Sequence, residues 1–180
     1  MSDPAYLTAH FILAGDTVHA DFSLTLDHPV HEVWAMLTAP AGLAKWLAPG
    51  EIDTKPGGAV RLDFGESGSV IDSTLTAFMP GRLLEYSWSV PGEPPRPLRW
   101  TLEPIGPTTR LTLRVSTPAN GDPGRAAAGW AAHLEMLQTA LIGAPSKFPF
   151  EVFKVARDAF RDQVGQLYRQ SRKAEILKMI

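Results

Sequence analysis

The sequence predicts an α+β fold: a curved antiparallel sheet of about six or seven strands wrapped on a long helix late in the chain, with one further helix after it. Three observations lead there. Segments of alternating apolar and polar residues follow one another from Val18 to Val115, separated by glycine- and proline-rich turns. Trp130, Leu134, Leu137 and Leu141 then recur at steps of four, three and four, which makes one apolar helix face. The strands place their polar residues on a single face, so the other face needs a cover, and the helix carrying Trp130 is that cover.

Each element has its own local signal. An N-terminal segment, residues 1–16, opens at Asp3-Pro4 and holds Phe11, Ile12 and Leu13, which fit either a docked arm or an extra strand. Val18, Ala20, Phe22, Leu24 and Leu26 alternate with polar residues as a half-buried strand. The period changes after Pro29: Val30, Val33, Trp34 and Leu37 have helical spacing, and proline is tolerated in an opening turn. Ala39-Pro40 ends that helix, and Leu43, Trp46 and Leu47 predict another short one. Strands follow at Val60–Phe64, Ile71–Ala77, Leu84–Val90, Leu98–Leu102 and Leu111–Val115. Gly143-Ala144-Pro145 stops the Trp130 helix, and a last helix over roughly 150–172 carries Phe153, Phe160, Val164 and Leu167 on one side.

Counting through the tight turns sets a register. Leu62 falls opposite Ile71, Ser73 opposite Trp88, Trp88 near Trp100, and Trp100 near Leu113. A neighbouring row runs Leu75, Tyr86, Leu102 and Leu111. The opposite face collects Arg61, Asp63, Asp72, Glu85, Arg99, Arg110 and Arg114, and must be wet.

Composition excludes several function classes. The 17 Lys and Arg against 19 Asp and Glu leave a net charge of -2, without the basic footprint of a nucleic-acid-binding domain. Residues 151–180 hold seven basic and four acidic residues, about +3, against about -5 for the remainder. With no cysteine, disulfides, thiolate catalysis and cysteine metal sites are absent. No basic n-region opens the chain and no stretch approaches the ~18 apolar residues of a membrane span, so a cytoplasmic protein is expected, without membrane insertion.

The candidate site is the space between sheet and helix. Trp46, Tyr86, Trp88, Trp100, Trp130, Leu134 and Leu137 form its walls, since indole and phenol rings offer an apolar body with a polar handle. Ser73, a small residue opposite two indoles, leaves volume unless another ring fills it. His133, one turn from Trp130, sits at the edge of the covering face as a rim or solvent group that can donate to a ligand. No metal or cofactor is expected: His31-Glu32 opens like a zinc-protease signature, but Ala35 stands where its second histidine belongs. Asp63 and Asp72 fall on the wet face beside Arg61 as a surface charge cluster. No nucleophile elbow, phosphate loop or dinucleotide fingerprint is present, and no catalytic residue is assigned.

The order of elements resembles the helix-grip fold of the START-like (SRPBCC) superfamily. The residues are similar to those of the activator-of-heat-shock-protein-90-ATPase homologues. The matching pieces are Pro29-Val30-His31-Glu32-Val33-Trp34, Leu43-Ala44-Lys45-Trp46-Leu47, Lys55-Pro56-Gly57-Gly58, Met79-Pro80-Gly81-Arg82-Leu83, Thr108-Thr109-Arg110-Leu111-Thr112 and Gly129-Trp130. The resemblance places the helix-grip domain at 17–143, with residues 144–180 a helical extension outside the family core. It implies a fold and a cavity more than an activity, because the superfamily includes lipid carriers, hormone receptors, aromatic cyclases and oxygenase subunits.

The expected function is binding of a small hydrophobic or aromatic molecule. The family name raises partnership with a heat-shock protein 90 homologue, but the eukaryotic activator has a large charged N-terminal domain that the residues before the first strand do not supply. A cyclase or hydrolase with His133 or Tyr86 as proton carrier is the third reading. The apolar stripe over 150–172 must be buried somewhere, and a homodimer contact is expected there.

Overall fold

A computed structural model describes residues 4–180; the first three residues, Asp3 among them, lie outside the described residues. Eight strands form one open sheet: β1 (His10–Ala14), β2 (Thr17–Leu26), β3 (Gly50–Ile52), β4 (Ala59–Asp63), β5 (Val70–Met79), β6 (Leu83–Ser87), β7 (Pro97–Ile105) and β8 (Thr108–Pro118). Their order across the sheet is β1-β2-β8-β7-β6-β5-β4-β3, and every neighbouring pair is antiparallel. Helices α1 (Val30–Thr38) and α2 (Pro40–Trp46) interrupt the strands, and α3 (Pro123–Leu141) and α4 (Phe150–Lys178) follow them.

The sheet has two more strands than the shorter count from the sequence. The N-terminal segment pairs as β1, Phe11 opposite Ala20 and Leu13 opposite Val18. Strand β3 has only three residues, too few for alternation to reveal, and lies antiparallel to β4 with Gly50 opposite Leu62.

The two faces divide as the alternation requires except in β5, where a bulge between Leu75 and Ala77 sets Ala77 opposite Glu85 and turns Phe78 inward opposite Leu84. Leu62 opposite Ile71, Trp100 opposite Leu113 and Leu102 opposite Leu111 are the expected pairs. The register between β6 and β7 differs from the sequence count. Trp100 pairs with Leu84 and Tyr86 with Leu98, while the Trp88 backbone N–H donates to the Arg96 carbonyl at 2.8 Å. Trp88 and Trp100 are therefore not cross-strand neighbours. The slip is an even number of residues, so each side chain keeps its face although its partner changes. The outer face carries the ion pairs Arg99–Glu85 at 2.9 Å, Arg114–Asp21 at 2.8 Å and Arg61–Asp72 at 3.7 Å.

Three helices share the apolar face. Helix α3 lies against β2 and β8, α1 against β7 and β8, and α2 against α3 and β3. Helix α4 packs along α3 and onto β1. Its Phe160 is fully buried, with ring centroids 5.4 Å from Tyr6, 5.3 Å from Phe11 and 6.3 Å from Phe22. Ala156 and Val164 are buried beside it, so the centre of the α4 stripe is covered within this chain. The close approach needs Gly124: a Cβ there would stand 2.7 Å from the Arg161 backbone nitrogen.

No helix among the described residues is long and apolar enough to cross a membrane.

Candidate functional site

The space beneath the middle of α3 is filled. Trp46, Tyr86, Trp100, Leu134 and Leu137 are each no more than 1 % exposed. The Trp46 indole N–H donates to the Met36 carbonyl at 2.8 Å, which fixes the ring under α2 and sets it edge-on to Trp100 at 6.0 Å. Trp130 meets Trp100 at 5.6 Å and Trp88 at 4.8 Å, so the α3 indole bridges the β7 indole and the one just past the end of β6. Burial raises the pKa of the Tyr86 phenol, an effect that the Trp100 indole N–H partly offsets, although that N–H makes no hydrogen bond of good geometry. Ser73 is half-buried, and its hydroxyl donates to the Ser87 carbonyl at 3.0 Å. A ring does come close to the neighbouring indole: Phe64 stands edge-on to Trp88 at 5.7 Å.

The open volume lies at one end of this packed layer. A cleft of about 690 Å³ is bounded by the β6–β7 loop at Pro94 and Arg96, by Val115–Pro118 at the end of β8, and by the turn Asn120–Asp122. The N-terminal half of α3 supplies Arg125, Gly129, Trp130 and His133, and the linker and start of α4 supply Phe148 and Phe153. Trp88, Trp130 and His133 from the expected set therefore meet at the cleft. Trp46, Tyr86, Trp100, Leu134 and Leu137 lie in the packed layer behind it, and Ser73 does not line it.

His133 is not a solvent histidine on the rim. Its ring is half-buried between Trp130 at 5.5 Å and Phe148 at 5.4 Å, with Phe64 at 6.5 Å. Phe148 belongs to the linker after α3, so helical periodicity in α3 gave no sign of this cover. Burial pushes the imidazole from its ordinary 6.5 down to about 4, and the ring is neutral at physiological pH. Nδ1 is sealed from solvent and has no hydrogen-bond partner. An unpaired buried acceptor costs less than an unpaired buried N–H, so the proton belongs on Nε2. His133 thus brings a neutral N–H donor to the aromatic end of the cleft.

Helix α4 holds the opposite wall in place. Asp122 caps α3, accepting from the Arg125 backbone N–H at 3.1 Å, and accepts further from Arg161, whose Nε lies 3.3 and 3.1 Å from the two carboxylate oxygens and whose Nη2 lies 2.5 Å from Oδ2. These contacts, that with Arg161 foremost, keep the Asp122 carboxyl below the usual carboxylate range. Two turns beyond Arg161 on α4, the Tyr168 hydroxyl donates to the Ala119 carbonyl at 2.8 Å, between the cleft residues Pro118 and Asn120.

Gly129 was visible in the sequence only as part of a motif. It sits inside α3, where glycine costs about 1 kcal/mol relative to alanine, and its φ is not positive. A Cβ there would meet no heavy atom within 4 Å. Neither backbone conformation nor close packing demands glycine at this position. It lines the cleft, and what its missing side chain provides is room.

Of the histidines near α1, His28 makes a local contact. His28 Nδ1 lies 2.9 Å from Glu32 Oε2, and among the described residues no group of three or more His, Asp or Glu side chains is placed to hold a metal ion.

Comparison with known proteins gives the fold a lineage. The family model described as "Activator of Hsp90 ATPase homolog 1-like protein" matches residues 27–141, more than half of the chain. No curated protein matches the chain. Among solved structures, CalU16 from Micromonospora echinospora is similar with a TM-score of 0.71 and 24 % identity, over 91 % of this chain and 99 % of that one. The protein encoded by gene BPP1335 of Bordetella parapertussis is similar with a TM-score of 0.65 and 28 % identity, over 89 % and 94 %. DynU16, described as a putative protein in the dynemicin biosynthetic locus, is 30 % identical with a TM-score of 0.61, over 75 % of this chain and 51 % of its own.

Proposed function

We propose that this chain, which belongs to the Activator of Hsp90 ATPase homolog 1-like family of the START-like superfamily, binds a small hydrophobic molecule in the cleft at the end of α3. The carrying observation is the cleft itself. It holds about 690 Å³, within the range of sites that take drug-sized ligands, and it is walled by Trp88, Trp130, Phe148 and Phe153. Gly129 keeps its floor open at a cost to helix stability, and His133 offers one neutral donor among aromatic rings. Polar groups placed around an otherwise aromatic wall orient a guest without requiring it to give up its polar contacts on entry. The location of DynU16 in a biosynthetic locus agrees with a small organic guest.

The proposed site residues are Trp88, Trp130, His133, Gly129, Phe148 and Phe153. Tyr86, Trp100, Trp46, Leu134 and Leu137 support them from behind, and Ser73 fixes the strand beside Trp88.

Tryptophan fluorescence tests this reading, because Trp88 and Trp130 both line the cleft. Titration with fatty acids, sterols and polyketide-like aromatics is expected to change the emission for at least one class. Gly129→Leu puts a side chain into the open volume and is expected to abolish that response. Gly129→Ala is expected to raise stability by about 0.5–1 kcal/mol in urea denaturation, which shows that the position tolerates a Cβ. A flat titration with every class would overturn the proposal.

A further inference from the structure

The charged groups at the cleft are unbalanced. Two arginines, Arg96 from the β6–β7 loop and Arg125 from the first turn of α3, line it. Among the described residues, neither guanidinium takes part in an ion pair or hydrogen bond. Arg61, Arg99, Arg110, Arg114, Arg157 and Arg161 each face a carboxylate, and Arg82, Arg169 and Arg172, which like Arg96 and Arg125 form no ion pair among the described residues, do not line the cleft. The one carboxylate lining the cleft is Asp122, and the Arg161 guanidinium and the Arg125 backbone N–H already occupy it. Asp122 also feels Arg125 through space, yet the charged groups lining the cleft still sum to a net positive charge beside walls of indole and phenyl rings.

We propose that the cleft selects an amphipathic organic anion, an apolar or aromatic body carrying a carboxylate, with the body against Trp88, Trp130 and Phe148 and the carboxylate met by Arg96 and Arg125. This rests on the cleft being the binding site and adds the class of guest. The guanidinium group suits the role: it stays charged, is weakly hydrated and presents paired N–H donors that match a carboxylate. The two come from different elements, a loop and a helix, so an anion held between them is fixed at two points. The apolar walls supply the bulk of the affinity and the arginines supply the discrimination between an acid and its neutral analogue.

Two probes of nearly identical shape separate these contributions: pyrenebutyrate and pyrenebutanol, followed by energy transfer from the cleft tryptophans. Pyrenebutyrate is expected to bind about tenfold more tightly at low salt, the effect of two partly exposed ion pairs. The ratio is expected to fall close to one in the Arg96→Gln/Arg125→Gln double variant. It should also fall towards one in about 1 M salt, where charges are screened within about 3 Å. The double variant Arg99→Gln/Arg110→Gln, which removes the same charge from the outer face of the sheet, is expected to keep the wild-type ratio. Equal binding of the two probes to the wild type, or a preference for the acid that survives in Arg96→Gln/Arg125→Gln, overturns the anion inference while leaving the apolar cleft intact. Binding of neither probe overturns the cleft reading as well.

Discussion

His133 shows how much one side chain's surroundings change its chemistry. From the spacing in α3 it is a histidine one turn beyond Trp130, near the edge of the covered face. Its cover comes from Phe148, a residue no helical pattern connects to it, and the result is an imidazole held neutral with a sealed Nδ1. Because its folded pKa is lowered to about 4 from 6.5, the unfolded chain takes up a proton first as pH falls. Stability is therefore expected to drop between about pH 7 and pH 4 and to lose nothing further through this group below that range. In urea denaturation, the wild type should lose about 1–2 kcal/mol more than His133→Gln on going from about pH 7.5 to about pH 5. Parallel losses in the two proteins would show that His133 charges freely in the folded state. The tryptophans illustrate the same dependence on context. Trp46 and Trp100 are packing groups and Trp88 and Trp130 line open volume, yet nothing in the local sequence around them differs in kind.

At the scale of elements, periodicity was a good guide to faces and a poor one to registers and loops. The stripe of α3 and the alternation of β2, β7 and β8 were legible because each repeats over several turns or strand pairs. The β6–β7 register was not, since the Pro-rich loop between the strands can be lengthened by an even number of residues without exposing any apolar side chain. The cleft escaped for a related reason. Its walls come from the β6–β7 loop, the β8–α3 turn and the α3–α4 linker, which have no periodic signal to read. The interior glycine at Gly129 and the aromatic run Phe148-Pro149-Phe150 were the available hints. Asp122 joins two of these elements by capping α3 and binding Arg161 of α4. Asp122→Ala is expected to cost about 1–2 kcal/mol in thermal or urea unfolding, from a lost cap and a partly exposed ion pair. Asp122→Asn, which still caps a helix, should recover about half of that. Equal losses in both variants would mean that the ion pair, rather than the cap, carries the effect.

For the whole molecule, α4 is a structural part of the domain. Phe160 gathers Tyr6 from the N-terminal segment, Phe11 from β1 and Phe22 from β2 into one aromatic cluster, so both ends of the chain meet. The family match ends at Leu141, yet this chain's helix beyond it closes the apolar face that α3 leaves uncovered. Phe160→Ala is expected to destabilise the protein by about 3–5 kcal/mol, the cost of an aromatic cavity in a closed core, with a single unfolding transition. Two separate transitions would instead mark α4 and β1 as a unit that opens by itself.

The sheet order also has a consequence in time. Strand β2 finds its inner neighbour in β8, so Phe22 waits for Leu113. Nearly the whole domain must leave the ribosome before the first long strand has its central partner, and such distant pairings close slowly. The β3–β7 meander can form early from neighbouring segments, whereas β1 and β2 stay exposed until β8 and the helices arrive. Synthesis thus leaves an apolar strand pair unprotected until β8, α3 and α4, which follow it in the chain, emerge to cover it.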